Sequence, residues 1–212
     1  MLKNHGKCAF ALIFLFGLST VHADGWYIGL GGGRLTDLTD SFVEMRDLHG
    51  SPNADTEKDA TTKIFGGRYI SPNVAFEFGY VDLGKVSYDI STSRKLVTAV
   101  SAFSASGSES IEGFNIGLAG GLPLSGTVSV IGRVGVLDWE SESFFSTKHK
   151  TDYPPPRHDS RMNHAEVSSD RGKDLYYGLS LGSQWFSLFY DFYSMSDDNA
   201  GVIGFSVIYQ WN

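Results

Sequence analysis

The feature that most constrains this chain is a period of two, in which apolar side chains alternate with small or polar ones. The clearest segment places Val74, Phe76, Phe78 and Tyr80 on one side, and Ala75, Glu77 and Gly79 on the other. Successive side chains of a strand point to opposite faces, so this pattern predicts a β-strand with one apolar face. Similar alternation occurs at residues 26–31, 62–70, 113–119, 128–136, 175–181, 186–192 and 203–211. The sequence therefore predicts an all-β fold with eight strands.

The second face of these segments distinguishes a membrane barrel from a soluble sandwich. It is dominated by Gly, Ser and Ala, with Glu77, Arg133 and Asp191 near strand middles. Charged residues make up only 19% of the chain, whereas soluble domains average about 25%. Small residues suit the narrow interior of an eight-stranded barrel, and an apolar outer face suits lipid. The composition therefore favours a barrel that crosses a membrane.

Connection lengths support the same fold. Short connections at 71–73, 123–126 and 182–184 alternate with polar stretches at 36–60, 85–108, 140–171 and 195–199. Outer-membrane barrels alternate short periplasmic turns with longer extracellular loops, and they close because an open edge in lipid would leave backbone groups unpaired. We therefore predict an eight-stranded antiparallel up-and-down transmembrane β-barrel, with short periplasmic turns and long extracellular loops.

Residues 1–23 have the pattern of an export signal. Lys3 and Lys7 are followed by an apolar segment over 8–18, and Val21-His22-Ala23 forms a small-x-small cleavage site. We expect cleavage after Ala23, which leaves residues 24–212 as a barrel domain in the outer membrane of a Gram-negative cell. This domain has no cysteine and no apolar run long enough for a transmembrane helix.

The charge of the predicted mature domain restricts its partners. Without Lys3 and Lys7, the 17 basic residues fall to 15 against 24 acidic ones, a balance of −9. Nucleic acid would require a basic face, so it is not expected as a partner. The expected partners are outer-membrane lipids and lipopolysaccharide, the barrel-assembly machinery during insertion, and an extracellular ligand of the loops.

Aromatic residues near the strand ends predict two girdles at the membrane interfaces. The expected interface residues are Trp26, Tyr69, Tyr80, Trp139, Trp185, Tyr209 and Trp211.

Two segments resemble the outer membrane protein A barrel family. Residues 76–84, FEFGYVDLG, resemble its third strand, and residues 132–139, GRVGVLDW, resemble its fifth. The resemblance implies a plugged interior with an ion-pair network, in which Glu77 and Arg133 take part with Asp191 and Arg68. No peptidoglycan-binding domain follows the barrel segment, so cell-wall tethering is not implied. The last residues, Trp211-Asn212, also depart from the usual terminal aromatic.

No catalytic residue, metal site or cofactor is predicted. A serine nucleophile at Ser194 or Ser196 would need a base, yet no histidine occurs after His164. His149, His158 and His164 lie in the 140–171 stretch at spacings that match no metal motif.

The sequence leaves three functions open. The first is a structural outer-membrane protein whose loops serve adhesion or recognition. The second is a narrow channel or carrier for small solutes, and the third is a lipid-modifying outer-membrane enzyme.

Overall fold

The computed structural model describes residues 25–38, 54–96, 99–153, 158–195 and 199–211. The predicted signal segment and its cleavage site lie outside the described residues. The described chain forms nine strands: β1 (Trp26–Leu38), β2 (Ala54–Lys58), β3 (Ala60–Ser71), β4 (Val74–Leu96), β5 (Ala99–Ser125), β6 (Val128–Asp152), β7 (Ser160–Gly182), β8 (Phe186–Ser194) and β9 (Asn199–Trp211). No helix in the described part of the chain is long and apolar enough to span a membrane.

Eight of these strands form a closed antiparallel ring in the order β1-β3-β4-β5-β6-β7-β8-β9. The ring closes where β1 pairs with β9, from Trp26 opposite Trp211 to Leu38 opposite Ala200. β2 lies outside the ring and pairs with β4 over residues 86–90. The predicted eight-stranded barrel is confirmed, and β2 adds a ninth strand above it.

The two faces of the ring have the predicted character. Phe78, Phe114, Leu179 and Phe205 point outward, and in the absence of lipid they are 50%, 68%, 59% and 61% exposed. The inward positions carry small, aromatic and charged side chains, many of them buried. An apolar outer band around a filled interior is the arrangement that lipid requires.

The strands at one end of the barrel are much longer than predicted. The stretches 85–108 and 140–171, which we expected to be loops, are mostly strand: β4 and β5 pair up to Leu96 opposite Ala99, and β6 and β7 pair up to Thr151 opposite Ser160. That expectation was wrong because period-two alternation marks a strand only where one face is apolar. Beyond the apolar band the outer face is polar, and the inner face has only scattered buried apolar side chains such as Val86, Ile90 and Ala105, so the pairing continues with a weaker signal.

β4 has a bulge at Gly84, opposite the junction of β2 and β3. Gly84 has φ +81°, a left-handed conformation that favours glycine, and its amide donates to Asp82 Oδ1 at 2.8 Å. The Asp59 amide donates to the Lys85 carbonyl oxygen at 2.9 Å. On this side of β4, the paired strand thereby changes from β3 to β2. The expected loop at 36–60 is therefore partly strand, and its residues 39–53 lie outside the described residues, as do residues 196–198 of the expected loop at 195–199.

Two apolar clusters fill the interior, one towards each end. Tyr27, Phe65, Ala75, Ala119 and Ile208 pack near the short turns. The larger cluster fills the opposite half and consists of Leu35, Val81, Leu83, Val86, Ile111, Leu137, Trp139, Tyr176, Phe189, Tyr193, Met195, Ala200 and Val202. The charged side chains of the interior lie between these clusters.

Candidate functional site

Arg133 of β6 and Glu77 of β4 meet inside the barrel. Arg133 Nε lies 3.0 Å from Glu77 Oε1 and 3.3 Å from Oε2. Arg133 also donates to Ser180 Oγ at 2.8 Å, and the Tyr27 hydroxyl donates to Glu77 Oε2 at 2.8 Å. Both charged side chains are 4% exposed, so these contacts replace the hydration that each loses in the interior.

A second buried ion pair joins Lys63 of β3 to Asp191 of β8. Lys63 Nζ lies 2.5 Å from Asp191 Oδ2, and it sits 3.4 Å from the ring centroid of Phe189. The Arg133 guanidinium carbon lies 5.5 Å from the Phe65 ring centroid, and Lys63 Nζ lies 5.2 Å from the same centroid. The two pairs therefore form one compact cluster around Phe65, which we call the interior charge cluster.

The interior charge cluster is neutral as a set, with two cations and two carboxylates. Two described polar atoms near it have no hydrogen-bond partner, the Tyr176 hydroxyl and Asp191 Oδ1. Burying four charges is costly, and removing one partner leaves the other charge uncompensated. The cluster is therefore suited to holding particular strands together, and the apolar clusters on both sides fill the remaining interior.

The structure brings together three of the four predicted network residues. Arg68 is the exception: it is exposed on the outer face, and its guanidinium carbon lies 5.5 Å from the Trp26 ring centroid. Assigning Arg68 to the interior was therefore wrong. Arg68 pairs with Phe76 across β3 and β4, and cross-strand partners share a face. Near a membrane interface, a long arginine side chain extends its charge towards water.

Lys63 is the residue that the sequence reasoning missed. The signal was present, because the alternation of β3 places Lys63 on the same face as Phe65 and opposite to Ile64. Its partner could not be found locally, since Asp191 lies 128 positions away along the chain.

The predicted interface aromatics divide into two groups. Four of them point outward and are 43%, 55%, 59% and 42% exposed: Trp26, Trp185, Tyr209 and Trp211. Tyr80 is half-buried on the same face. Trp139 and Tyr69 instead point inward, which corrects their assignment to the girdles. Trp139 is buried and donates to Asp174 Oδ2 at 2.8 Å. The Tyr69 ring lies 5.4 Å from that of Tyr27, and Gln210 donates to its hydroxyl at 3.2 Å.

Beyond the apolar band, four neighbouring strands continue as a sheet that we call the raised sheet. It comprises residues 85–96 of β4, 99–111 of β5, 141–152 of β6 and 160–174 of β7, with β2 beside β4. β8 ends at Ser194 and β1 at Leu38. The barrel is therefore much taller on one side.

The outer face of the raised sheet carries short hydroxyl side chains and a group of cations. A shallow groove of about 950 Å³ lies there, and Ser91, Ser93, Ala102 and Ser104 line it together with Lys148, Lys150 and Arg161. Lys150 Nζ contacts Asp152 Oδ2 at 2.8 Å. Such a surface can form hydrogen bonds and ion pairs, but its short side chains provide little apolar area.

Acidic side chains mark the outer boundary between the apolar band and the raised sheet. Tyr80 donates to Glu112 Oε2 at 2.5 Å, and Lys173 Nζ lies 3.0 Å from Asp138 Oδ2. The described residues contain no group of three or more His, Cys, Asp or Glu residues that could hold a metal ion.

The histidines and serines considered from sequence lie apart. His149 Nε2 is 3.0 Å from Ser101 Oγ, His164 Nε2 is 3.7 Å from Glu166 Oε2, and His158 is exposed. Ser194 ends β8, and Ser196 lies outside the described residues. In the described part of the chain no histidine contact is seen for Ser194, whereas Ser101 and His149 form an exposed hydroxyl–imidazole contact.

Comparison with known proteins bears on this barrel directly. A family model described as the OmpA-like transmembrane domain matches residues 21–169, more than half of the chain. The chain belongs to the OmpA-like transmembrane domain family. The resemblance that residues 76–84 and 132–139 suggested is thus confirmed, and OmpA-like membership places the barrel in the outer membrane. No curated protein matches the chain significantly by sequence.

Solved structures similar to this OmpA-like barrel include three outer-membrane or surface proteins. Ail, the attachment invasion locus protein of Yersinia pestis, is 11% identical, with a TM-score of 0.37 over 88% of this chain and 99% of that one. The N-terminal β-barrel domain of Pseudomonas aeruginosa OprF is 9% identical, with a TM-score of 0.34 over 88% and 98%. Neisserial surface protein A is 10% identical, with a TM-score of 0.34 over 88% and 97%.

Proposed function

We propose that this chain is a structural outer-membrane barrel whose raised sheet forms an adhesion or recognition surface outside the cell. The observation that carries the proposal is the height of β4 to β7. A strand crosses the bilayer with about 9–11 residues. β4, β5, β6 and β7 have 23, 27, 25 and 23 residues respectively. A barrel that served only as an anchor would not need this additional length.

The interior supports a structural role for the membrane-spanning part. The interior charge cluster is neutral, and apolar clusters pack on both sides of it. A conducting pore needs a continuous water-filled path, and buried aromatic residues such as Phe65, Tyr176 and Phe189 occupy the interior instead. The features that favour recognition all lie on the raised sheet.

The direct test is to shorten the raised sheet without changing the barrel. Residues 87–108 and 142–169 are each replaced by an Asn-Gly turn. Their ends are cross-strand partners, Ser87 opposite Ser108 and Glu142 opposite Ser169, so the remaining ladder keeps its register. A non-adherent Gram-negative strain then displays either the full chain or the shortened one.

We expect the full chain to increase binding of these bacteria to cultured epithelial cells, and the shortened chain to leave binding at the vector level. An unboiled gel controls for folding, because both chains should keep a heat-modifiable barrel. Equal adhesion by the two displayed chains would contradict the proposal, and so would no increase with the full chain.

The same proposal includes export and the membrane partners. Residues 1–23 serve as the cleaved signal, the assembly machinery inserts the barrel, and lipids with lipopolysaccharide surround its apolar band. The intact mass of protein extracted from outer membranes should correspond to a chain that starts at Asp24. A mass that includes Met1 would show that the segment is retained.

A further inference from the structure

One cation lies on the lipid-facing surface of the barrel. The apolar band comprises the outward-facing positions of residues 26–30, 64–70, 74–80, 114–124, 128–136, 175–181, 186–192 and 203–211. Among these positions, Arg68 carries the only charge. A charged side chain on the lipid face of a barrel is destabilising to an extent that depends on its depth in the membrane. The groups that surround Arg68 therefore decide how this position is tolerated.

Arg68 lies close to the end of the barrel that carries the short turns. It is three residues before Ser71, the last residue of β3, which is about 10 Å along the strand. Ile70 follows it on the same face and is 64% exposed. Because an apolar side chain lies between Arg68 and the strand end, the polar groups nearest to its guanidinium in a membrane are the lipid headgroups.

Aromatic rings, and not carboxylates, surround Arg68 on the outer face. Its guanidinium carbon lies 5.5 Å from the Trp26 ring centroid, within the range of a cation–π contact. Arg68 is the cross-strand partner of Trp26 on one side and of Phe76 on the other. Within the described residues it forms no ion pair and no hydrogen bond. The N–H donors of its guanidinium are therefore available to a ligand.

Tryptophan rings extend this surface onto the neighbouring strands. Trp26 is opposite Trp211 across β1 and β9, and the Trp211 ring stacks on that of Tyr209 with centroids 5.9 Å apart. Neither indole donates to another described residue, although the N–H of an interfacial tryptophan usually has a polar partner. Arg68, Trp26 and Trp211 thus form a group of donors without an acceptor among the described residues, which we call the donor rim.

A lipid phosphate supplies the acceptor that the donor rim lacks. A guanidinium group matches two phosphate oxygens at once, and an indole N–H can donate to a further oxygen. In phosphatidylcholine or phosphatidylethanolamine, the cation of the same headgroup already compensates the phosphate. An anionic phospholipid such as phosphatidylglycerol has no such cation, so its phosphodiester gains more from a nearby guanidinium.

We propose that the donor rim binds the phosphodiester of an anionic phospholipid, with Arg68 as the cation and the Trp26 indole beside it. The short turns of outer-membrane barrels face the periplasm, so the lipid belongs to the periplasmic leaflet. The phosphates of lipopolysaccharide lie at the opposite end of the barrel. The site is at the end away from the raised sheet, and it does not depend on adhesion or recognition there.

The overall charge of the protein opposes such a preference. Residues 24–212 contain 15 basic and 24 acidic residues, a balance of −9, so the domain as a whole repels anionic lipid. Enrichment of an anionic lipid at one place must then come from a local cation. In vesicles without anionic lipid, the donor rim should contribute little to stability.

The test measures which lipid lies next to Trp26. A chain that keeps only Trp26, with the other tryptophans replaced by phenylalanine, is refolded into phosphatidylcholine vesicles that contain a minority of phosphatidylglycerol. Bromine is placed on the acyl chains of phosphatidylglycerol in one preparation and of phosphatidylcholine in the other. The membrane charge is the same in both, so the two quenching efficiencies give the local enrichment. We expect phosphatidylglycerol to be enriched about fivefold at Trp26, the effect of one cation at an anionic membrane surface.

Substitutions separate Arg68 from other cations. Arg68→Gln should abolish the enrichment, whereas Arg68→Lys should retain part of it, because lysine keeps the charge but not the planar fork. Arg34→Gln is the matched control. Arg34 is exposed on the same outer face but towards the other end of the barrel, so its loss should leave the enrichment at Trp26 unchanged.

A second reporter controls for position in the membrane. Trp185 points outward at the same end of the barrel, in the turn between β7 and β8. A chain that keeps only Trp185 should show no enrichment of phosphatidylglycerol, because no cation lies beside it in the apolar band. Inorganic phosphate on both sides of the membrane, at constant ionic strength, should not reduce the enrichment at Trp26.

Several results would overturn the inference. They are an absence of enrichment at Trp26, enrichment that persists in Arg68→Gln, equal losses in Arg68→Gln and Arg34→Gln, and equal enrichment at Trp185. Displacement by inorganic phosphate would show that the site takes a soluble anion instead of a lipid. The unboiled gel shows whether each variant is folded. None of these results bears on adhesion by the raised sheet, so the two proposals fail separately.

Discussion

Lys63 and Arg68 lie on the same strand, yet their charges have opposite surroundings. Lys63 is buried against Asp191 and the Phe189 ring, whereas Arg68 lies on the outer face beside Trp26. The difference is one of strand parity, because odd positions of β3 point inward. A charge inside the barrel needs a partner, and a charge at the outer boundary has access to water.

This difference predicts unequal effects of two matched substitutions. Lys63→Met leaves Asp191 buried without its cation and should lower the free energy of unfolding by about 3–5 kcal/mol. Arg68→Met should change it by less than about 0.5 kcal/mol. Urea unfolding in lipid vesicles, followed by tryptophan fluorescence, measures both. Equal losses would show that the assignment of the two faces is wrong.

The Arg133–Glu77 pair predicts a non-additive result. Arg133→Met and Glu77→Leu should each destabilise the barrel by about 3–5 kcal/mol, because each leaves a buried charge. The double variant leaves neither charge and should be more stable than either single variant. A double variant that loses the sum of both effects in the same unfolding assay would rule out a coupled pair.

Trp139 gives a separate test of the inward and outward faces. Chains that keep only one of the four tryptophans are refolded into vesicles whose acyl chains carry bromine. Bromine should quench Trp26 and Trp211, which point outward, and leave Trp139 largely unquenched, because it lies inside and donates to Asp174. Quenching of Trp139 equal to that of Trp26 would place it in the girdle after all.

For single residues, the sequence predicted which face of a strand a side chain occupies better than it predicted which residue that side chain contacts. Alternation placed Glu77, Arg133 and Asp191 inside, as the structure has them. The same alternation puts Lys63 inside and Arg68 outside, but it gives no sign that the partner of Lys63 is Asp191 of a distant strand. Trp139 has the same parity as Arg133 and so shares its face; its assignment to the girdle considered only its position near the strand end.

At the scale of single elements, strands continue after their hydrophobic pattern ends. The β4–β5 ladder runs from Val74 opposite Gly120 to Leu96 opposite Ala99. Its lower part has a continuous apolar outer face, whereas its upper part has a polar outer face and scattered buried side chains on the inner face, such as Val86, Ile90 and Ala105. The sequence therefore predicts the membrane-spanning segments more readily than the raised sheet, whose pattern is weaker.

Gly84 is the element-scale position with the clearest requirement. Its φ of +81° is unfavourable for other residues, and an added Cβ would lie 2.9 Å from the Ala60 carbonyl oxygen. Gly84→Ala should cost about 1–2 kcal/mol locally, seen as faster hydrogen exchange in β2 while the barrel mobility on an unboiled gel is unchanged. Gly32→Ala is the matched control, because its Cβ would meet open space. Equal exchange in both variants would contradict the bulge.

At the scale of the whole molecule, the barrel is closed but its height is uneven. Ring closure rests on β1 and β9, which pair from Trp26 opposite Trp211 upward. The raised sheet extends only the β4–β7 side. The leader, the two faces and the alternating connections predicted the closed barrel, and the family match confirms it. The uneven height depends on pairing between strands whose apolar alternation is too short to distinguish them from loops.

The proposed position of the raised sheet outside the cell predicts the labelling of introduced cysteines. Residues 24–212 contain no cysteine, since Cys8 is the only one in the sequence. On intact cells, a membrane-impermeant maleimide should label Val167→Cys, whose position is 76% exposed. Gly126→Cys, in the turn between β5 and β6, should react only after the outer membrane is permeabilised. The reverse pattern would invert the orientation.

The central claim is that residues 24–212 form a closed barrel that detergent does not open. The measurement that tests it most directly is the mobility of the refolded chain on a gel, with and without boiling. A closed barrel predicts a compact unboiled band that shifts on boiling, because its strand ladder is continuous around the ring. Identical mobility before and after boiling, with solubility in detergent-free buffer, would contradict the membrane barrel.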